Sequence, residues 1–322
     1  MIPRPTLAML IPAYNAARYL PRLLDSATRQ TKRFDEIWVY DDCSTDDTGA
    51  IGARYGARVV RGDVNRGCCH GKNRLASETR CEWIHFHDAD DELMPNFVER
   101  AHVWVSDGRF DVVFLAFEAR DDRTGGFMGR AWFDPSAVST NPRAYLIRNQ
   151  VNNFGLYRRE AFLEVGGYDE DPLVRYNDEM ALHIRLAFKG LSFGADDTVV
   201  AINHRRSDSM SAANPLKCAQ AQYQVLRKTA AFRGAEQYAD DIARKLWFVV
   251  GGLSAHLDWR TADEAASLAI RLAGPSGVPT SCVFRTLCYA SPYLAIRIRE
   301  WLIRGLNPAL REGCPGWRAG LR

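Results

Sequence analysis

The first 120 residues alternate short apolar runs with segments of helical periodicity, and this alternation restricts the possible folds more than any other feature. The runs cover residues 7–11, 37–40, 58–61, 83–87 and 112–117. Between them, apolar residues recur every three or four positions, as on one face of a helix. Strands separated by helices predict a parallel sheet with helices on both faces, an α/β fold.

Acidic residues follow two of the predicted strands. The strand at 37–40 leads into Asp41 and Asp42, and the strand at 83–87 leads into Asp88 and Asp90. Ligands of open α/β sheets bind at the carboxyl ends of the strands, and an Asp-x-Asp pair suits a divalent cation that also holds a diphosphate. The alternative for each motif is a turn that caps the next helix. For the first motif, Ser44 is the predicted N-cap of a helix that runs to about residue 55.

Three further segments contain residue types that suit a ligand site. Pro12 and Tyr14 follow the first strand, where the aromatic ring could stack on a base or lie half-buried. The Gly-rich segment that contains Lys72 could approach a phosphate, or simply begin a helix. Asp178 and Glu179 fall in the first turn of a predicted helix, where either a catalytic base or a solvated helix start is compatible with the pattern.

Several classes of protein are excluded or disfavoured. The 42 Lys and Arg residues nearly balance 39 Asp and Glu, so no nucleic-acid partner is expected. The chain has neither a Gly-x-Gly-x-x-Gly nor a P-loop motif, which disfavours dinucleotide oxidoreductases and P-loop NTPases. None of the eight cysteines forms a Cys-x-x-Cys pair, no signal-peptide pattern is present, and no apolar run reaches membrane-spanning length. We therefore expect reduced thiols and a cytoplasmic protein.

The order and spacing of these motifs resemble those of family-2 glycosyltransferases with the GT-A fold, over residues 5–211. That family has a Pro-x-Tyr-Asn segment, an Asp-Asp-Gly-Ser-x-Asp segment, an Asn-x-Gly segment, an Asp-x-Asp motif and a late pair of acids. The matching residues in this chain are Pro12, Tyr14, Asn15, Asp41, Asp42, Ser44, Asp46, Asn65, Gly67, Gly71, Lys72, Asn73, Asp88, Asp90, Asp178 and Glu179. The resemblance implies a Rossmann-like, mostly parallel sheet followed by a helical C-terminal region.

The resemblance also implies roles for individual residues. The nucleotide of a sugar donor would be held by the strand-end residues Pro12, Tyr14, Asp41, Asp42 and Lys72. Mg²⁺ or Mn²⁺ on the donor diphosphate would be held by Asp88 and Asp90. His204 is either a further metal ligand, as in some relatives, or a surface histidine in a polar turn. The second acid of the late pair is the usual base, which is Glu179 here.

Three departures from the family pattern affect these assignments. Cys43 replaces a glycine, and Lys72 replaces an arginine, which loses the bidentate fork of a guanidinium. The late acids are reversed in type, so Asp178 is a second candidate for the base. Adjacent residues on a helix point about 100° apart, so both acids cannot serve one acceptor.

The predicted activity is inverting transfer of a sugar, from a UDP-sugar by default, to a hydroxyl of a glycan or lipid-linked acceptor in cell-envelope or exopolysaccharide synthesis. A catalytically inactive module that binds nucleotide sugars is the main alternative. A nucleotidyltransferase ranks last, because residues 13–18 lack the Gly-rich loop with Arg and Lys that such an enzyme needs after its first strand.

The sequence predicts two domains, a transferase domain over residues 1–212 and a helical region over residues 213–322. Residues 121–152 are rich in Gly and Pro and predict an irregular, mobile loop. The last predicted helix has Leu294, Ile298, Trp301 and Leu302 on one face, and the final 42 residues hold seven Arg and two Glu. This helix packs on its own domain or contacts an anionic membrane at its inner face. The sequence does not indicate an oligomeric state.

Overall fold

The structure is a computed structural model that describes residues 4–151, 154–274 and 282–314. Its strands are β1 (Leu7–Ala13), β2 (Glu36–Asp41), β3 (Arg58–Arg61), β4 (Trp83–Phe86), β5 (Glu92–Leu93), β6 (Val112–Asp121), β7 (Phe127–Arg130), β8 (Gly155–Arg158) and β9 (Phe193–Arg205). The helices of its first two-thirds are α1 (Leu20–Thr28), α2 (Thr48–Arg54), α3 (Cys68–Glu78), α4 (Phe97–Asp107), α5 (Pro135–Thr140), α6 (Pro142–Arg148), α7 (Arg159–Glu164) and α8 (Asp178–Phe188). The later helices are α9 (Pro215–Thr229), α10 (Ala239–Ala255), α11 (Trp259–Ala273), α12 (Cys282–Ala290) and α13 (Pro292–Leu306).

The strands form one mixed sheet in the order β3-β2-β1-β4-β8-β6-β9-β5, with β7 paired to β6. The pairs β1–β2, β1–β4, β2–β3 and β6–β9 are parallel. Strand β8 is antiparallel to both of its neighbours, β4 and β6. The α/β class is therefore confirmed, while the antiparallel insertion of β8 was not predicted.

The central strands are apolar on both faces because helices cover the sheet. Strand β1 is buried along nearly its whole length, and Trp83–Phe86 of β4 is buried throughout. Leu20, Leu23 and Leu24 of α1 join the same core. This burial follows from the continuous apolar runs that the sequence shows, which are typical of strands inside an α/β sheet.

Two local predictions are wrong. Helix α2 begins at Thr48, and Ser44 does not cap it: the Ser44 hydroxyl accepts a hydrogen bond from the Asn15 amide at 3.0 Å instead. The segment predicted to be irregular contains the end of β6, strand β7 and helices α5 and α6. Asp134 caps α5 by accepting from the Ala137 amide at 2.9 Å, and a proline follows it at the first helical position. The last predicted loop residue, 152, lies outside the described residues.

The chain divides into two compact units. The sheet unit consists of residues 1–146, 151–170 and 181–209, and the helical unit consists of residues 147–150, 171–180 and 210–322. The predicted domain boundary at residue 212 stays a prediction. Within the helical unit, α10 packs on α9 and α11 through buried residues such as Leu246, Val250 and Ala266. No helix within the described residues is both long and apolar enough to cross a bilayer.

Two buried histidines form a hydrogen-bonded chain in the core of the sheet unit. His85 Nδ1 lies 3.0 Å from the Gly155 carbonyl oxygen, and His85 Nε2 lies 2.9 Å from His87 Nδ1. Because a carbonyl only accepts, His85 Nδ1 carries the proton, and neutral His85 then accepts from His87 Nδ1. Burial lowers the pKa of His85 to about 4 and lowers that of His87 well below its ordinary value.

This histidine chain makes the fold sensitive to acid. Since the unfolded chain binds a proton near pH 6.5 and folded His85 does not, its contribution to stability is present above pH 6.5 and is lost as the pH falls. We expect His85 alone to lower the free energy of unfolding by about 2 kcal/mol between pH 8 and pH 5. Urea unfolding at the two pH values measures this loss.

In the variant His85→Gln, the free energy of unfolding should change less between pH 8 and pH 5 than in the wild type. This expectation holds even if the substitution lowers stability at both pH values. His256→Gln, which changes a histidine at the end of α10, should keep the wild-type dependence. Equal pH dependence in wild type and His85→Gln would show that the buried chain is not its source.

Candidate functional site

The carboxyl ends of three parallel strands lie side by side in the sheet unit. Ala13 at the end of β1 pairs with Asp41 at the end of β2, and Leu10 pairs with Phe86 of β4. The Asp42 amide donates to the Ala13 carbonyl at 2.9 Å, and the His87 amide donates to the Leu10 carbonyl at 3.0 Å. The predicted strand-end residues therefore leave the sheet at one edge.

The turn after β1 is tied to the turn after β2. Asn15 has a positive φ of 48°, a conformation that asparagine adopts more readily than most residues. Its amide donates to the Ser44 hydroxyl, and its side-chain oxygen accepts from the Thr45 amide at 2.9 Å. The neighbouring Tyr14 side chain is 51% exposed, and Pro12 is half-buried at the end of the strand. The exposed ring of Tyr14 is therefore available to a ligand.

Asp41 organises the loop after β2. Its fully buried carboxylate accepts from the Ser44 amide at 2.8 Å and forms an ion pair with Arg61. A Cβ atom at Gly49 would lie 2.6 Å from this carboxylate, so α2 passes too closely for any larger residue there. Within the described residues, the partners of the Asp41 carboxylate belong to its own loop and to β3. These contacts hold the loop in place.

Asp42 holds the start of α3. Its two carboxylate oxygens accept from the amides of Arg66, at 2.9 Å, and Gly67, at 2.7 Å. Gly67 has a φ of 91°, which a residue with a side chain rarely adopts. The next helical turns contain Lys72, which is buried with its ammonium group 4.5 Å from the centre of the Tyr168 ring. Asp42 thus connects the end of β2 to the helix that contains Lys72.

Tyr40 fills the space beneath these loops. A Cβ atom at Gly71 would lie 2.7 Å from Tyr40 Cδ1, and one at Gly62 would lie 2.5 Å from its hydroxyl oxygen. Burial, followed by the charge of Asp42, raises the pKa of Tyr40. The two glycines are needed because the ring packs directly against their backbone.

The loop after β4 concentrates negative charge. Asp88 and Asp90 are half-buried, and Asp91 is buried. The Asp91 carboxylate accepts from Asn203 Nδ2 at 2.8 Å and from the His204 amide at 2.9 Å. Its pKa is raised well above its usual range by burial first, and then by the charges of Asp90 and Asp88. This close group of oxygen donors has the chemistry that Mg²⁺ and Mn²⁺ prefer.

Two arginines contact Asp90. Arg206 forms an ion pair with its carboxylate at 2.9 Å, and Arg22 donates to its backbone carbonyl. The Arg206 guanidinium also lies 4.1 Å from the centre of the Tyr19 ring, and Arg22 bonds to Asp122 at 2.7 Å. A metal ion that binds Asp90 must therefore compete with a guanidinium.

His204 lies next to this group of acids. Its Nε2 atom is 3.2 Å from Glu92, and its Nδ1 atom is 3.8 Å from Asp122. Burial, followed by the charge of Arg22, lowers its pKa, although Glu92 opposes the shift. Both ring nitrogens of His204 thus face carboxylates other than those of Asp88 and Asp90.

The two candidate bases belong to the helical unit. Asp178 and Glu179 begin α8, directly after a 3₁₀ turn at Arg175–Asn177. Asn177 anchors this turn by donating to the Cys218 carbonyl of α9 at 2.8 Å. Asp178 is buried and Glu179 is half-buried. The other candidate site residues all belong to the sheet unit.

Sequence reasoning gave no role to four residues that shape the site. These are Asp91, Arg206, Arg61 and Arg22, of which the last three pair with acids distant in sequence. Asp91 was visible in the sequence as the third acid of its motif, which was the available signal. The arginines gave no such signal, because ion pairs across 20 to 116 positions depend on the finished fold.

Comparisons with known proteins identify the family. Residues 9–166 match the family model described as "Glycosyl transferase family 2". An uncharacterized glycosyltransferase of Haemophilus influenzae is 28% identical over 167 residues, which are 50% of this chain and 55% of the relative. The succinoglycan biosynthesis protein ExoO of Rhizobium meliloti is 33% identical over 99 residues, which are 30% of this chain and 28% of the relative. The chain thus spans about half or less of these relatives.

Solved structures share the fold. S. aureus TarS 1–349 in complex with UDP-GlcNAc has a TM-score of 0.68 at 16% identity, covering 93% of this chain and 92% of that one. The mannosyltransferase PcManGT from Pyrobaculum calidifontis, in complex with GDP-Man and Mn²⁺, has a TM-score of 0.58 at 19% identity, covering 95% and 82%. The chain belongs to glycosyl transferase family 2 and has the GT-A fold. The predicted family and fold class are confirmed.

The close packing of Tyr40 generates a prediction. In Gly71→Ala, the added methyl group would lie 2.7 Å from Tyr40 Cδ1 and 3.4 Å from Pro12 Cβ. We expect the free energy of unfolding to fall by about 1–3 kcal/mol, because a well-packed core resists added volume. Urea denaturation measures the change.

Gly251→Ala in α10 is the matched control, since within the described residues no heavy atom beyond its chain neighbours and the local backbone of its own helix lies within 4 Å of the added Cβ. This variant should be as stable as the wild type or about 1 kcal/mol more stable, because alanine favours a helix interior. Equal stabilities for the two variants would contradict the packing described for Tyr40.

Proposed function

We propose that this protein transfers a sugar from a nucleotide-diphosphate sugar, by default a UDP-sugar, to a hydroxyl of a glycan or lipid-linked acceptor, with inversion at the anomeric carbon. The observation that carries the proposal is that hydrogen bonds connect the loops after β1 and β2 to each other and to the start of α3. Asp42 binds the amides of Arg66 and Gly67, and Asn15 binds the loop that follows Asp42. The proposed donor residues are thereby held by the protein's own hydrogen bonds.

Several observations support a nucleotide sugar as the donor. Tyr14 exposes an aromatic ring that suits stacking on a base. TarS, which shares the fold, binds UDP-GlcNAc, and PcManGT binds GDP-Man. We assign Pro12, Tyr14 and Asp42 to the nucleotide, with Lys72 towards its phosphates. Asp41, whose carboxylate binds Ser44 and Arg61, acts by holding the loop.

A divalent cation fits the acids after β4. Asp88 and Asp90 supply hard oxygen ligands, and their negative charge adds to burial, the larger cause, in raising the pKa of Asp91. PcManGT, of the same fold, is complexed with Mn²⁺. We propose that Asp88 and Asp90 hold Mg²⁺ or Mn²⁺, with His204 as a further ligand if its ring turns away from Glu92. When bound, the ion supplies Lewis-acid stabilisation to the departing diphosphate.

The proposed base is Glu179, with Asp178 as the second candidate. Both residues lie in the first turn of α8, where the helix dipole favours their charged form. Glu179 would take the proton of the acceptor hydroxyl while that oxygen attacks the anomeric carbon from the face opposite the diphosphate. A base positioned in this way contributes about 10²–10⁴ in rate.

A catalytically inactive module is the alternative, motivated by the reversed order of the two acids. Such a module would bind a nucleotide sugar and show neither transfer nor hydrolysis. ExoO, the relative from Rhizobium meliloti, is a succinoglycan biosynthesis protein, which favours an active enzyme of polysaccharide synthesis.

Removing the proposed metal ligands tests the donor site. Asp88→Asn and Asp90→Asn should each lower metal-dependent transfer by about 10²-fold or more, since each removes a charge that holds the ion at the leaving group. The fold should remain intact by circular dichroism. Asp63→Asn, which changes an exposed acid before α3, should keep wild-type activity. Full activity of Asp90→Asn in the presence of a chelator would refute the metal assignment.

Comparing the two acids of α8 tests the base. Glu179→Gln should lower kcat by about 10²–10⁴ and leave the KM for the donor nearly unchanged. Asp178→Asn should have a smaller effect on kcat. A larger loss in Asp178→Asn would reverse the assignment, and the absence of transfer in the wild type with retained donor binding would favour the inactive module.

Helix α13 supports contact with a membrane. Its outward face is apolar, with Trp301 74% exposed and Leu306 81% exposed, and Ser291 caps its start. On its other side, Arg304 and Arg311 both bind the buried Glu300 at 2.8 Å. We propose that this apolar face of α13 contacts the inner face of an anionic cell membrane. Insertion of apolar side chains would contribute more to the binding free energy than electrostatic attraction does.

Vesicle sedimentation tests this contact. Wild type should sediment with phosphatidylglycerol vesicles at low salt. The double variant Trp301→Glu/Leu306→Glu should stay in solution, because charged side chains cannot enter the acyl boundary. Trp132→Glu, which changes an exposed tryptophan of the sheet unit, is the control and should bind as the wild type does. Failure of the wild type to sediment at low salt would end the proposal.

A further inference from the structure

The helical unit contains an open cavity of about 470 Å³ among α9, α11 and α13. This volume falls within the range of ligand pockets in proteins. None of its lining residues belongs to the motifs assigned to the donor, the metal or the base. The residues that line it are Tyr223, Asp263, Glu264, Ser267, Arg271 and Tyr293.

The two carboxylates of the cavity are already compensated. Asp263 accepts two hydrogen bonds from Arg297, each of 2.9 Å. Glu264 lies 3.4 Å from Arg260 and is hydrogen-bonded to the buried Tyr223, whose pKa is raised by burial and by Glu264. A cationic ligand would therefore find little uncompensated negative charge in this cavity.

Among the described residues of the lining, Arg271 is the uncompensated charge. Across the described ranges, no hydrogen bond or ion pair engages its guanidinium. It lies in the last turn of α11 and is exposed to solvent. A guanidinium presents a planar fork of donors that matches a carboxylate or phosphate group with two parallel hydrogen bonds. The cavity is thus matched to a ligand with one anionic group.

The rest of the lining suits the hydroxyl groups of a sugar. Ser267 donates to the Asp263 carbonyl at 2.8 Å and accepts from the Tyr293 hydroxyl at 2.9 Å, so both oxygens can still accept a hydrogen bond from a ligand hydroxyl. Glu264 can accept from ligand hydroxyls, and the rings of Tyr223 and Tyr293 offer apolar surface to a sugar face. A nucleoside diphosphate fits less well, because its several negative charges would meet a single unpaired guanidinium among the described lining residues.

We propose that this cavity binds an anionic saccharide, with Arg271 on its carboxylate or phosphate and the hydroxyl-bearing residues on the sugar ring. The use of the cavity as an acceptor subsite rests on the proposed transferase function, whereas binding itself does not. Uronate-bearing and phosphate-bearing saccharides share the required anionic group.

Calorimetric titration of the full chain tests the proposal. The probes are a tetrasaccharide alternating glucuronate and N-acetylglucosamine, a neutral N-acetylglucosamine tetramer, and glycerol 3-phosphate. We expect an anionic probe to bind at least about tenfold more tightly than the neutral tetramer, and Arg271→Gln to weaken it by about tenfold. Arg244→Gln, which changes an exposed arginine of α10 outside the cavity, should bind as the wild type does.

The results separate the two sources of the anion. Binding of the glucuronate probe alone identifies a carboxylate, and binding of glycerol 3-phosphate alone identifies a phosphate. Equal binding of the neutral tetramer, no binding of either anionic probe, or unchanged affinity in Arg271→Gln would overturn the proposal. UDP titrated into the same samples reports on the donor site, so failure of the proposed transferase function is seen separately.

Discussion

The hydrogen bonds of one carboxylate connect the parts of the proposed donor site. Asp42 directly follows β2 and accepts from the amides of Arg66 and Gly67, which precede α3. If this carboxylate is lost, the start of α3 loses the acceptor for two of its amides. Helix α3 carries Lys72, and Gly71 of the same helix packs on Tyr40. The proposed nucleotide site therefore depends on a single acid that also holds the local backbone.

The other acids at this edge of the sheet differ in burial and in their hydrogen-bond partners. Asp41 and Asp91 are buried and bound to backbone amides, whereas Asp88 and Asp90 are half-buried. Buried acids that accept from backbone amides hold their loops, and Asp42, which is also buried, combines this with its proposed role at the nucleotide. Partial exposure leaves Asp88 and Asp90 accessible to a ligand. The pairing of Asp90 with Arg206 adds a local positive charge at the place where a metal ion would bind. The proposed metal ion at Asp90 would therefore be coupled to the position of the segment after β9, which contains Arg206.

The sequence was sufficient for the features that depend on local periodicity. The apolar runs predicted β1, β2 and β4, and the rule for parallel sheets brought Asp41, Asp42 and Asp88 to one edge. The antiparallel course of β8 could not be predicted, because it depends on pairing across some 70 residues. The sequence around Ser44 fits the pattern of a helix N-cap, yet its hydroxyl accepts a hydrogen bond from the Asn15 amide, 29 residues away in the chain, instead of capping α2. The pairing of Arg206 with Asp90 likewise exists only in the folded chain.

The central claim is that the joined strand-end loops bind a nucleoside diphosphate together with a divalent cation. The most direct measurement is the thermal unfolding of the full chain with UDP, with Mn²⁺, and with both, because a ligand of the folded state raises its melting temperature. The account predicts a larger rise with both than the two separate rises combined. Unchanged melting temperatures with every nucleoside diphosphate tested, with or without Mn²⁺, would contradict it.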